Sequence, residues 1–194
     1  MLNRHRIAVV SVIVCAVSTS FAAGQALKPD QGERIRQYLK IDKEQPALVV
    51  FMDFQCPACQ KKWPAIKAAL DHRPTMKFYS VSFPLVNVHK NAFGAAVAYE
   101  IARGSGVEKP AYNDLLSGKQ NLEIPSLNAY LKAHRLPSVV GTSKATKYEA
   151  KVNDQLKFAT SLGINATPTL VLIDASGKAT VLDSIDRLDD YLPR

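Results

Sequence analysis

The chain has 194 residues, 47% of them hydrophobic and 22% charged, with a formal net charge of +8. That length suits one domain with a sizeable core and is too short for two full ones, and the composition excludes a disordered or fibrous chain. The basic residues are scattered without a basic–aromatic stripe, so the charge describes a solvated surface and not a nucleic-acid interface.

The first element is an N-terminal segment unlike the rest. Arg4, His5 and Arg6 precede an apolar run from Ile7 to Val17, and Ser18-Thr19-Ser20-Phe21-Ala22-Ala23 follows. A basic start, a short apolar core and small residues at the end describe a secretory signal peptide over residues 1–23, cleaved after Ala22 or Ala23. Stretching the apolar run to Ala23 gives the alternative of an uncleaved membrane anchor, but the core is nearer signal length than spanning length. Export to the periplasm is the expectation, and Arg4 and Arg6 leave with the signal.

Residues 24–46 form an N-terminal extension in which Gln31 to Lys40 reads as a short amphipathic helix. Ala47 to Phe54 is continuous, apolar and rich in branched and aromatic residues, the pattern of a buried strand. Cys56-Pro57 opens a helix reaching about Asp71, with Pro57 where proline is tolerated and Pro64 placed to kink it. Met76 to Phe83 reads as a second strand, parallel to the first across the helical crossover. From about 88 to 162 the signals are helical: Asn91 to Arg103, Ala111 to Leu116, Leu127 to Ala133 and Lys144 to Leu162. Thr169 to Asp174 is a strand, Ser176-Gly177 a hairpin turn, Ala179 to Leu182 the return strand, and Asp186 to Tyr191 a last helix. The order is βαβ, a block of helices, then ββα.

The cysteines carry the chemistry. Cys15 lies in the segment expected to be removed, which leaves Cys56 and Cys59. A disulfide between them encloses two residues and restrains the unfolded chain very little, so in an oxidising compartment it is there to react. Three residues apart at a helix start, the two share one face. The unpaired N–H groups and positive dipole end at that terminus favour an anion on Cys56, making it the nucleophile, while Cys59, one turn in, resolves the mixed disulfide. Half of a zinc site is the structural alternative, but no second ligand pair exists, since His72, His89 and His134 lack ligand spacing. An inert buried pair fits poorly with a strand-to-helix junction. No metal or organic cofactor is expected.

Phe51-Met52-Asp53-Phe54-Gln55-Cys56-Pro57-Ala58-Cys59 resembles the active-site run of the DsbA-like thiol:disulfide oxidoreductases of the thioredoxin-fold superfamily. Pro64 matches the kinking proline of thioredoxin-type helices, and Phe83-Pro84-Leu85 with His89-Lys90-Asn91-Ala92 is similar to the segment opening the helical insertion in that family. Gly163-Ile164-Asn165-Ala166-Thr167-Pro168-Thr169 resembles the loop whose cis-proline faces the cysteines. The resemblance implies an α/β thioredoxin fold over 47–194, with a helical insertion at about 88–162 between the βαβ and ββα halves. It also implies that Pro168 is cis and that Thr167 presents its backbone to an extended substrate segment.

Two positions depart from the family's pattern. Where many relatives carry a buried carboxylate six residues before the first cysteine, this chain has Val50, and where DsbA has a histidine between the cysteines it has Ala58. Asp53, by strand alternation, is expected to face away from the Val50 side. His89 is either a groove residue or a surface helix cap, and Trp63 is core or groove wall. The expected function is exchange of disulfides with exported proteins as a dithiol oxidase, in company with a membrane or soluble redox partner. A reductase or isomerase and a non-catalytic peptide-binding module are the alternatives.

Overall fold

The computed structural model describes residues 27–190; the expected signal peptide and Tyr191 lie outside the described residues. Helix α1 (Pro29–Leu39) leads into β1 (Ala47–Met52), α2 (Pro57–Asp71) and β2 (Lys77–Ser82). Four helices follow: α3 (Ala92–Gly104), α4 (Glu108–Leu116), α5 (Ile124–Ala133) and, after a 3-10 turn at Ser143–Ala145, α6 (Thr146–Ser161). The chain closes with β3 (Thr169–Ile173), β4 (Ala179–Leu182) and a 3-10 helix at Ile185–Asp190. The four strands form one sheet in the order β2-β1-β3-β4, with β1 parallel to β2 and antiparallel to β3. This is the α/β thioredoxin fold with α3 to α6 inserted between its βαβ and ββα halves.

Alternation along the strands divides the core in two. Leu48, Val50 and Met52 of β1 and Leu170 and Leu172 of β3 join the cluster under α2, α3, α4 and α5. Ala47, Val49 and Phe51 of β1 and Val171 and Ile173 of β3 join the cluster under α1 and the end of α6. All six β1 residues are fully buried, which is why that strand reads as an unbroken apolar run. Gly32 brings α1 onto β4: a Cβ there would stand 3.1 Å from both Ala179 Cβ and Gly177 O. At the other edge, Arg103 of α3 donates to the Ser80 carbonyl of β2 at 3.4 Å and to the buried Glu100 carboxylate at 2.7 Å.

Several boundaries differ from expectation for local reasons. β1 stops at Met52, two residues early, because the Asp53 side chain accepts from the Gln55 N–H and starts a turn. α4 begins at Glu108 and not Ala111, since Pro110 falls in the first turn, where its missing N–H has no partner to lose. α5 likewise begins at Ile124, with Pro125 in its first turn. α6 gives its first residues to the 3-10 turn, and the last element is 3-10 over its described length.

Candidate active site

The site lies where β1 ends and α2 begins. Cys56 is the N-cap of α2, in extended conformation (φ −70°, ψ 120°), and Pro57 occupies the first helical position. Both cysteines are unbridged thiols, Cys56 7% exposed and Cys59 fully buried, while Pro57 and Ala58 between them face solvent. Pro64 lies within α2 without ending it. Farther along the helix Trp63 is core, its ring against Tyr112 and its Nε1 donating to Asn113 Oδ1 at 2.9 Å.

Asp53 holds this junction together. Its carbonyl accepts from the Cys56 N–H at 3.2 Å. Its carboxylate accepts from the Gln55 N–H at 2.8 Å, the Leu85 N–H at 2.9 Å and His89 Nδ1 at 2.8 Å. Gln55 in turn accepts from the Asn91 N–H at 2.7 Å. Asp53 is 1% exposed and thus a buried, multiply hydrogen-bonded carboxylate tying residues 85–91 to the cysteine turn. His89 is a member of this junction rather than a free surface group, with a side chain 15% exposed. Sequence reasoning weighed His89 without its partner; the signal was a polar residue at the end of an otherwise apolar strand, facing a histidine near the next one.

The second wall comes from the loop between α6 and β3. α6 ends in a Schellman arrangement: the Gly163 N–H donates to Thr160 O, and the Ile164 N–H to Ala159 O. Gly163 takes φ +79°, where L side chains are disfavoured, and so turns the chain toward the cysteines. The Thr167–Pro168 peptide bond is cis, and the Thr167 carbonyl accepts from Cys56 Sγ at 3.5 Å. Thr167 and Pro168, 111 and 112 residues beyond Cys56, therefore lie beside the cysteine pair.

The two sulfurs have different surroundings. Burial pushes the Cys59 thiol up from 9.0 to about 12, opposed by the Asp53 backbone N–H and the Thr167 hydroxyl and aided by the neighbouring Cys56. Cys59 is thus a thiol at neutral pH unless a proton acceptor serves it. Thr167 Oγ1 completes no hydrogen bond of ordinary geometry although it stands close enough to oppose that rise. Val50 is fully buried in the cluster that holds Cys59 and provides no proton-carrying group. Among the described residues, no group of three His, Cys, Asp or Glu side chains is placed to hold a metal ion.

Comparison with known proteins agrees with this architecture. The catalytic domain of Proteus mirabilis ScsC superposes with a TM-score of 0.65 at 17% identity, covering 84% of this chain and 94% of that one. A thioredoxin-like oxidoreductase from Silicibacter pomeroyi gives 0.57 at 20% identity over 75% and 83%. Pseudomonas aeruginosa DsbA2 gives 0.54 at 21% over 73% and 81%. At these identities the likeness is one of fold. The Na(+)/H(+) antiporter NhaA 1 of Mycolicibacterium vanbaalenii is 29% identical over 128 residues, 63% of this chain and 21% of that protein. NhaA 3 of Salinispora tropica is 30% identical over 96 residues, 49% and 15%. The chain spans about a fifth of the length of the curated relatives it matches. The model of the thioredoxin-like domain family matches residues 35–183, and the chain belongs to that family.

Proposed function

We propose that this chain is an exported thiol–disulfide oxidoreductase that exchanges disulfides with substrate proteins, acting as a dithiol oxidase. The observation that carries the proposal is the placement of Cys56, at a helix N-terminus and 3.5 Å from the Thr167 carbonyl. Cys56 is the more accessible sulfur, 7% exposed against none for Cys59, and in thiol exchange the thiolate is the attacking species. In the oxidising direction a substrate thiolate attacks Cys56 of the Cys56–Cys59 disulfide, and the Cys59 sulfur leaves with the electron pair of the broken bond. A second substrate thiol then displaces Cys56, leaving the substrate disulfide and the protein dithiol. Thr167 and Pro168 align an extended segment of the exported substrate, and a membrane or soluble partner reoxidises the pair.

The basic start, short apolar run and small residues of the 1–23 segment support export. Equilibration of the Cys56–Cys59 pair against glutathione tests the direction. A potential near −120 mV is expected of an oxidase, and one near −270 mV assigns the chain to the reductases. A Cys56→Ser variant that keeps full function in the cell overturns the enzymatic reading in favour of a peptide-binding module.

A further inference from the structure

The turn that carries Cys56 is held from two sides. From the helix side, the Gln60 N–H donates to Cys56 O at 3.1 Å and Gln60 Nε2 to Phe54 O at 2.8 Å. From the other side, Asp53 O accepts from the Cys56 N–H at 3.2 Å, and the Asp53 carboxylate is gripped in turn by residues 85–91. The Leu85 N–H and His89 Nδ1 both reach Asp53 Oδ2, at 2.9 and 2.8 Å, while the Gln55 N–H takes Oδ1 at 2.8 Å. Two of these three donors are backbone groups, and the imidazole is the one side chain among them.

His89 has a placement that a surface residue does not need. Val88 before it is 73% exposed and Lys90 after it faces solvent, whereas the His89 side chain is turned inward and 15% exposed. It caps no helix, since the N-cap of α3 is Asn91 and the imidazole goes to Asp53. An ionised carboxylate only accepts, so the hydrogen of this bond sits on Nδ1 and aligns the ring with the buried oxygen. Both cysteines are unbridged, so the whole arrangement belongs to the dithiol form, before their bond is made. A bond within a molecule closes faster when its two ends are held in place beforehand.

Building on the disulfide-exchange reading, we propose that His89 is a positioning residue that holds Cys56, through Asp53, for the step that closes the Cys56–Cys59 disulfide. In that step the Cys59 thiolate attacks Cys56 Sγ of a mixed disulfide and the Cys56–Cys59 bond forms. The bond from Cys56 to the other sulfur breaks, and that sulfur leaves as a thiolate with the electron pair. The proton Cys59 gives up is balanced by the one the departing thiolate takes from solvent. His89 carries neither proton; it fixes where Cys56 stands. Loss of its bond frees the turn on one side, while Gln55, Leu85 and Gln60 keep their contacts, so closure slows without the site falling apart.

Stopped-flow reaction of the reduced protein with Ellman's reagent separates the steps, because the first coloured thiolate reports attack by Cys56 and the second reports closure. His89→Phe keeps a ring without the donor and is expected to give the first release within about twofold of wild type and the second about tenfold slower. The effective concentration of the pair, read by equilibration with glutathione, should fall by the same factor, a change that lost global stability does not produce. His89→Asn, which offers an amide N–H in place of Nδ1, should restore both. The Asp53→Asn/His89→Phe double variant should close no slower than Asp53→Asn alone, as expected of two residues acting in series. Should His89→Phe fail to fold, His89→Ala carries the same expectations. Closure at the wild-type rate overturns the proposal, and so does an equal slowing of both releases, which marks general damage. So do a loss that His89→Asn leaves in place and a double variant in which the two losses simply multiply. A wild-type protein that closes its disulfide but oxidises no reduced peptide removes the disulfide-exchange reading instead, and with it the proposed use of the step.

Discussion

The two faces of the sheet are built by the same alternation and treat their polar groups differently. Beneath α1 and α6, the buried Arg36 guanidinium donates to Asp42 O at 2.6 Å and Asp174 O at 2.8 Å. On the same face Gln31 donates to Leu162 O, and Tyr38, stacked on Phe158, donates to Asp154. The face that carries the cysteines is less settled. Ser80 Oγ, Ser82 Oγ, Tyr112 OH and Thr167 Oγ1 are buried there without a hydrogen bond of ordinary geometry, against Arg36 Nε alone among the described residues of the other face. One face is finished as structure, and the other keeps polar groups that folding alone does not reward.

Substitutions can separate the two. Cys56→Ser should reduce thiol exchange to background while leaving the melting temperature within a degree or two, as read by model-peptide oxidation beside thermal unfolding. Phe51→Ala on the opposite face should do the reverse. It costs about 3–5 kcal/mol in urea unfolding, while the folded fraction reacts with Ellman's reagent at the wild-type rate; a slowed reaction would break the contrast between the faces. Asp53→Asn belongs to both. Three donors lose a carboxylate, so about 1–3 kcal/mol of stability should go and Cys56 should react more slowly. An Asp53→Asn protein that is destabilised but reacts normally would confine Asp53 to the scaffold.

The smallest expected effect concerns pH. Folded Cys59 holds its proton up to about 12, whereas the unfolded chain releases it once pH passes 9.0. Above that point the unfolded state binds fewer protons, so this contribution to the stability of the reduced protein is present below pH 9.0 and is lost as pH rises toward 12. Cys59→Ala should flatten the part of the fall that begins near 9.0. The remaining slope belongs to tyrosines such as Tyr99, which burial also lifts to about 12. Equal slopes in the two proteins would show that the Cys59 environment is no drier than the rest of the core.

Much of this was legible from local chemistry. An unbroken apolar run marked β1 because both of its faces are covered, and Pro57 after Cys56 marked the start of α2. Thr167-Pro168 before a branched strand was recognisable through family resemblance. What stayed hidden is tertiary. Asp53 and His89 are 36 residues apart and meet only because β2 runs parallel to β1 and returns the chain to the same end of the sheet. Strand alternation also gave no useful account of Asp53, because β1 ends at Met52 and Asp53 already belongs to the turn.

The position of Arg103 has a consequence for how the molecule behaves among its neighbours. β2 is an outer strand, and outer strands offer unpaired backbone groups as templates for accidental pairing with other chains. Arg103 lays its guanidinium on the Ser80 carbonyl while Glu100 holds it in place, and Lys77 begins the same strand with a solvent-exposed charge. That charged edge guards the protein against pairing with the loose strands of other chains, and under the proposed disulfide exchange it would leave the Thr167 loop as the place where an extended substrate docks.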